Sequence, residues 1–287
     1  MNKKILILGS TGLLGSVLSS YLEQNYTIIR HSHMHKADYI FNAIDKKKLF
    51  DVFGEVKPDI IINCIAITNV DYCEINQLEA KIINEELVKN ICELKNRSSW
   101  IIHFSTDHVY NHDKLNTEDK VNLTNYYSTT KYNSEKYVLE SNGLVLRTNF
   151  FGKSLNSKKI TFNDWLTNQI KEKNKFKIVN DIYFSPISFK TLIQKLILII
   201  DKHFGINNVY NLGASTFMTK YEFARKIFDI VGYPDQENYS LINSDKLFST
   251  IRPRFMQMDN QKITDIVGYI PTLEEEISKT YEKYQNQ

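Results

Sequence analysis

Residues 3–22, KKILILGSTGLLGSVLSSYL, decide the fold. Ile5 to Leu8 make a short continuous apolar run, which suits a strand buried on both faces. Leu13 to Glu23 then repeats apolar residues at helical spacing. Between the two stand Gly9, Gly12 and Gly15 in a Gly-x-x-Gly-x-x-Gly pattern. Three glycines alone are a weak signal. At the turn from a first strand into a first helix they gain meaning, because a pyrophosphate rests there on the helix N-terminus. Gly9 permits the tight turn, Gly12 lets backbone approach phosphate, and Gly15 lets the helix lie close to the sheet. Ser10 and Thr11 add hydroxyl or backbone donors. The alternative is a tight turn with no ligand.

The same rhythm continues along the first half. Thr27–Ile29, Asp59–Asn63, Trp100–Phe104 and Leu144–Leu146 are short apolar runs, separated by helical lengths at Lys46–Phe53, Leu78–Lys95 and Tyr127–Ser141. Strands alternating with helices predict parallel βαβ units with right-handed crossovers. The expected fold is α/β: a Rossmann-type doubly wound parallel sheet with a smaller α/β C-terminal substrate-binding part. After Arg147 the rhythm loosens into helices at Phe162–Lys173, Phe189–Lys202, Tyr221–Val231 and Leu273–Tyr284. Strands fall at Phe176–Val179 and Val209–Leu212. Residues 1–150 are the expected dinucleotide-binding domain, to which the strand and helix of about 176–212 return. Residues 151–175 and 213–287 make the second part.

Composition bounds the function. The 287 residues carry 36 basic and 33 acidic side chains, net +3, without the basic bias of a nucleic-acid binder. Lys46–Lys48 read as a solvated helix start. Cys64, Cys73 and Cys92 are an odd, scattered set, which speaks for a reducing compartment and against a disulfide framework or a zinc site. MNKKILILG runs straight into a strand, leaving no room for a signal peptide. The most apolar run, Leu192–Ile200, is too short to cross a bilayer. The expected setting is cytoplasmic, with no membrane or nucleic-acid partner.

The second strand ends in Arg30-His31, where an NAD-specific fold usually carries an acid for the ribose 2′-hydroxyl. A cation suits a 2′-phosphate, which favours NADP(H) and leaves NAD(H) compatible; the alternative is a solvated arginine. HSHMH, residues 31–35, alternates histidines with no carboxylate or cysteine beside them. It reads as a loop over the adenine end rather than a metal site, so no metal is expected.

WIIHFSTDHVYN, residues 100–111, brings Ser105, Thr106 and Asp107 to the carboxyl end of a strand, where ligands bind in open α/β sheets. About twenty residues later comes Tyr127-x-x-x-Lys131. On a helix these two share a face, and an ammonium beside a phenol lowers its pKa. In a chain of 17 tyrosines the pair alone is weak. With the glycine loop, it supplies the hydroxyl, phenol and ammonium that a carbonyl reduction by a nicotinamide needs.

These pieces resemble the extended short-chain dehydrogenase/reductase superfamily, and more closely the dTDP-4-dehydrorhamnose reductase family. The resemblance covers nearly the whole chain. It is carried by GSTGLLG (9–15), KPDIIINCIAITNVDYCE (57–74), IIHFSTDHVY (101–110), YSTTK (127–131), LRTNFFG (146–152) and IRPRFMQMDNQKI (251–263), among others. It implies NADPH-dependent reduction of the 4-keto group of a nucleotide-linked 4-keto-6-deoxysugar, in deoxysugar and polysaccharide biosynthesis. Tyr127 is then the general acid, Lys131 holds the nicotinamide ribose and lowers the phenol pKa, and Thr106 bonds the carbonyl. Gly9, Ser10, Thr11, Gly12, Leu13, Leu14 and Gly15 cradle the pyrophosphate. Arg30, Asn42, Cys64, Ile65, Ala66, Thr68 and Ser105 complete the cofactor site. Val70, Asp71, Asp107, Asn149, Phe150, Arg252 and Arg254 face the substrate, the arginines as candidates for its phosphates. A homodimer is a common arrangement in the superfamily.

The chain departs from the family in three places. Asn42 stands where an Asp is frequent, Asn149-Phe150-Phe151-Gly152 is one residue short of the usual tryptophan turn, and TEDKVNLTNY lacks the usual prolines. Dehydratases carry Thr-Asp-Glu where this chain has His108, which disfavours that relative. An epimerase or dehydratase, or a catalytically silent NADP-binding regulatory subunit, are the competing readings. The nucleotide and the sugar stay open.

Overall fold

The computed structural model describes residues 3–156, 159–233 and 238–285. In chain order the first half comprises β1 (Lys4–Leu8), α1 (Leu13–Leu22), β2 (Thr27–Ser32), β3 (Tyr39–Ile40), α2 (Lys46–Val56), β4 (Ile60–Asn63), α3 (Val70–Ile75), α4 (Gln77–Lys81), α5 (Leu87–Leu94), β5 (Trp100–Thr106), α6 (Tyr126–Glu140) and β6 (Leu144–Thr148). A π-helical turn, Ile82–Glu86, joins α4 to α5, so the helix expected over Leu78–Lys95 is one rod with a bulge. The second half comprises β7 (Phe150–Phe151), α7 (Phe162–Lys171), β8 (Phe176–Val179), β9 (Tyr183–Phe184), β10 (Ile187–Ser188), α8 (Phe189–Lys202), β11 (Asn208–Leu212), β12 (Met218–Thr219), α9 (Lys220–Ile230), β13 (Tyr239–Ile242), α10 (Ser244–Leu247), β14 (Phe255–Met256), α11 (Gln261–Val267) and α12 (Leu273–Gln285).

Seven strands form one sheet in the order β3-β2-β1-β4-β5-β6-β11, and each neighbouring pair is parallel. Apolar residues fill both faces of its central strands, and Ile5–Leu8, Ile60–Ile62 and Leu144–Leu146 are fully buried. α1, α8 and α11 cover one face; α2, α5 and α6 cover the other. The strand order reverses between β1 and β4, and a crevice opens at their carboxyl ends.

A second core gathers Phe151, Leu166, Phe184, Phe223, Phe228 and Ile277 from β7, α7, β9, α9 and α12. Phe223 sits at its centre, with ring centroids 5.1 Å from Phe151 and 5.4 Å from Phe184.

Two sequence expectations need correction here. Phe176–Val179 does not return to the first sheet; β8 pairs with β13, Phe176 opposite Tyr239. The Phe176 ring packs on Trp165, Phe228 and Tyr239, all in the second core, and that burial decides its sheet. Only α8 and β11 return. Conversely, α11 lies in the stretch assigned to the second part, yet Ile263 and Val267 pack into the first core.

Candidate active site

The glycine loop closes on itself by backbone bonds. Gly12 N donates to Gly9 O at 2.9 Å, and Ser16 N donates to Gly12 O at 3.0 Å as α1 begins. Gly9 adopts φ +80°, and a Cβ on Gly15 would stand 2.2 Å from Gly9 O. Neither position accepts a side chain without moving the loop. Ser10 is turned inward, its Oγ donating to His31 O at 2.9 Å.

Three cavities adjoin this loop. The central one, about 290 Å³, is lined by Gly12, Leu13 and Leu14, by Cys64, Ile65, Ala66 and Thr68 after β4, and by Ser105, Thr106, Asp107, Tyr127, Lys131, Asn149 and Phe150. An outer one, about 660 Å³, holds Ser10, Thr11 and Arg30. The third, about 410 Å³, holds Gly9, Thr11, Asn42, Cys64 and Ile65. The structure thus brings together the glycine loop, the β4 end and the Thr106–Tyr127–Lys131 set. Gly15 lines none of the three and serves the close approach of α1.

α6 positions the phenol and the amine. Asn125 caps the helix, accepting from Ser128 N at 2.9 Å, and Tyr127 and Lys131 then fall one turn apart. Lys131 Nζ is 2.8 Å from Phe104 O and 3.0 Å from His103 Nε2. Burial pushes Lys131 down to about 8, against the pull of Glu135. The Tyr127 phenol is held above its ordinary value by burial, opposed in part by a hydrogen bond with Thr106. This corrects the expectation that Lys131 lowers the phenol: the Lys131 amine is turned toward β5, and burial dominates.

The neighbours add further shifts. Burial lifts Asp107 to about 6, while the Asn149 amide donates to its Oδ2 at 2.7 Å and Lys220 lies close enough to hold it partly down. Burial lowers His108 to about 3, and its Nδ1 is buried without a hydrogen-bond partner among the described residues. The His108 ring stands edge-on to Tyr127 with centroids 5.5 Å apart. The Cys64 thiol is pushed up to about 12 by burial.

Other expected residues sit elsewhere or are already engaged. Asp71 and Arg252 form an ion pair at 2.6 Å, and Arg254 pairs with Asp181 at 3.2 Å. Val70 packs beside Tyr127 in a small apolar cluster rather than lining the cavity. Arg30 is paired with Glu23 at the outer cavity. Asn42 turns its oxygen to Ile44 N at 3.2 Å. Ser105 lines the central cavity, but its hydroxyl proton goes to Glu135 at 2.6 Å. His31 belongs to β2 rather than to a loop, and it is buried with Nε2 3.0 Å from Phe41 O. His33 lines the third cavity and His35 the outer one. Among the described residues no group of three or more His, Cys, Asp or Glu side chains could hold a metal ion.

Sequence reasoning missed four contributors: His103, the Glu135–Arg147 pair, Lys159 and Lys220. Lys159 lines all three cavities, and Asn156 donates to Thr11 O at 2.7 Å. A signal existed only for His103, a polar residue on the same strand face as Ser105 within an apolar run.

A seven-stranded parallel sheet in this order, a glycine loop after β1, and Thr106, Tyr127 and Lys131 in one cleft define the extended short-chain dehydrogenase/reductase class. Within it, the RmlD substrate binding domain family matches residues 3–286, and the chain belongs to that family. It is 29% identical over 237 residues to dTDP-4-dehydrorhamnose reductase of Escherichia coli K12, covering 78% of this chain and 77% of that one. It is 23% identical to the probable low-salt glycan biosynthesis reductase Agl14 of Haloferax volcanii, covering 95% of each. The Bacillus anthracis dTDP-4-dehydrorhamnose reductase solved in complex with NADP shares the fold, with a TM-score of 0.86 at 23% identity over 99% of this chain and 100% of that one.

Proposed function

We propose that the protein reduces the 4-keto group of a nucleotide-linked 4-keto-6-deoxysugar with NADPH, as a dTDP-4-dehydrorhamnose reductase does. The single observation that carries this reading is Thr106, Tyr127 and Lys131 lining one cavity beside the glycine loop. The names of the relatives point the same way. In the extended chain of the family the second core is the substrate-binding part, and its setting is the cytoplasm of a bacterium, in polysaccharide synthesis.

A dinucleotide fits the residues present. The Gly9–Gly15 contact leaves backbone rather than side chains at the turn, and three cavities adjoin it. Bound NADPH supplies the hydride. Gly12 and Leu13 would hold its diphosphate at the α1 N-terminus, Lys131 would bond its ribose, and Arg30 would meet the 2′-phosphate of NADP on leaving Glu23. The Thr106 hydroxyl bonds the sugar carbonyl, and Tyr127 gives its phenolic proton to the oxygen. A phenol is protonated at neutral pH and so has the proton to give.

The test is to supply NADPH with dTDP-linked or GDP-linked 4-keto-6-deoxysugar and to identify the product by NMR. A 6-deoxyhexose nucleotide with a new C4 hydroxyl supports the proposal and names the nucleotide. Exchange of the sugar C5 proton without reduction would favour the epimerase reading. One relative, methionine adenosyltransferase 2 subunit beta of Bos taurus at 25% identity over 281 residues, favours a second reading as a subunit without turnover. NADPH binding with no reduction of either sugar is its signature.

A further inference from the structure

Lys159 stands where the three cavities meet. Thr11 is shared by the outer and the third, and Gly12 by the central and the third, but among the described residues Lys159 alone lines all three. It comes from the second part of the chain, between β7 and α7, and its backbone is tied to Ser154 and Asn156. Ser154 Oγ is 2.6 Å from Lys159 O, and Lys159 N donates to Asn156 O at 3.2 Å. Ser154 N donates in turn to Asp164 Oδ2 at 3.1 Å, in the first turn of α7. Asn156 reaches across to the glycine loop, its Nδ2 donating to Thr11 O at 2.7 Å.

Beside a glycine loop, such a junction is the place of a dinucleotide's midpoint. The diphosphate joins the nicotinamide and adenine halves and brings negative charge to the loop. The loop itself offers neutral donors. α1 begins after Gly12 with no side-chain cap and no acidic residue in its first turn, so its first N–H groups are left for an anion. Every other lysine or arginine that lines the cavities reaches just one of them. Arg30 and Lys36 line the outer cavity, where Arg30 is paired with Glu23. Lys131 lines the central one, its amine turned to Phe104 O. Lys159 is exposed, and none of the ion pairs among the described residues uses it.

We propose that Lys159 is a cofactor-binding residue that meets the diphosphate of the dinucleotide, set beside the glycine loop by the Asn156–Thr11 bond. The inference rests on the reading of the cleft as a nicotinamide dinucleotide site and adds to it a residue from the second part of the chain. An ammonium there bonds the phosphate oxygens with charge assistance, which the neutral loop cannot supply. The diphosphate is common to NADPH and NADH, so Lys159 serves both alike. Arg30, by contrast, can address only the 2′-phosphate that NADPH carries and NADH lacks. The second part of the chain thus takes part in cofactor binding before any sugar arrives.

The experiment titrates the full chain with NADPH and with NADH, without sugar, and reads binding from the fluorescence of the reduced nicotinamide. Wild type is compared with Lys159→Met, Lys159→Arg and, as a control for net charge, Lys36→Met. The expected result is that Lys159→Met raises the Kd of both dinucleotides by the same factor, about tenfold. Lys159→Arg should keep most of the affinity, and Lys36→Met should leave NADH binding as it is. A loss confined to NADPH would overturn the proposal by placing Lys159 at the 2′-phosphate. Unchanged affinities in Lys159→Met would overturn it as well. So would an equal loss in Lys159→Arg, or a loss of NADH binding in Lys36→Met that matches that of Lys159→Met. Wild type that bound neither dinucleotide would remove its premise and sink it too. Turnover of the keto sugar by the wild type, measured separately, judges the reductase reading, so the two can fail independently.

Discussion

Tyr127 and Lys131 stand one turn apart on α6, yet the Lys131 nitrogen is 2.8 Å from Phe104 O and 3.0 Å from His103 Nε2. The two residues the sequence joins as a pair are therefore separately held. The phenol keeps its proton because it is buried, and the amine is poised beneath it by β5.

Thr106 is the residue on which carbonyl polarisation rests. Its Oγ1 accepts from His108 N at 3.1 Å and its hydroxyl donates to Asp107 Oδ1 at a long 3.4 Å, a bond that gives way when the proton turns to the substrate carbonyl. Thr106→Val should lower kcat by roughly 10²–10³-fold, the usual loss for one donor at a developing oxyanion. Steady-state kinetics with the keto sugar check this, alongside an unchanged NADPH affinity by fluorescence.

Gly15→Ala tests the cradle. A Cβ placed 2.2 Å from Gly9 O must push the loop away from α1. NADPH affinity should fall by more than about tenfold, a loss of roughly 1.4 kcal/mol, while far-UV circular dichroism stays native. Unaltered affinity would mean that the loop does not hold the diphosphate.

Asp107 gives a pH prediction with a definite sign. Its carboxyl is raised from 3.8 to about 6 by burial, so the folded state favours the protonated form. That contribution is complete below pH 3.8 and is lost as pH rises through about 6. Asp107→Asn should therefore be more stable than wild type above pH 6 by about 2–3 kcal/mol, and level with it near pH 4. Urea denaturation at the two pH values measures the difference. Lower activity should accompany the gain, as it does where a site stores unfavourable electrostatics.

Glu135 and Arg147 form a buried ion pair at 2.6 Å, with Arg147 also bonded to Tyr110 Oη at 2.7 Å and to Glu118 O at 2.7 Å. Removing one partner strands the other in the core. Glu135→Leu should cost ~3–5 kcal/mol in urea unfolding at pH 7. A cost below about 1 kcal/mol would show that water or another group reaches Arg147.

What the sequence disclosed was local. The apolar runs at Ile5–Leu8 and Trp100–Phe104, the glycine turn and the Tyr127–Lys131 spacing all carry their meaning within a few residues, and the structure bears out those elements. Pairings across long separations left no such mark. Phe176–Val179 shows a strand's composition but not its partner, which lies at Tyr239–Ile242. Arg252 looked available for phosphate until folding set Asp71 against it. The Glu135–Arg147 pair links a helix to the next strand, and neither residue stands out in its own segment. His103 was hidden because an apolar strand reads as core, and its partners come from distant segments, Asn63 of β4 and Lys131 of α6.

The most direct test of the central claim is NADPH oxidation by wild type and by Tyr127→Phe, with a nucleotide-linked 4-keto-6-deoxysugar made in situ. The account predicts turnover by the wild type, a drop of roughly 10²–10⁴-fold in the variant, and the same NADPH affinity in both. A Tyr127→Phe variant that reduces the sugar at the wild-type rate would contradict it.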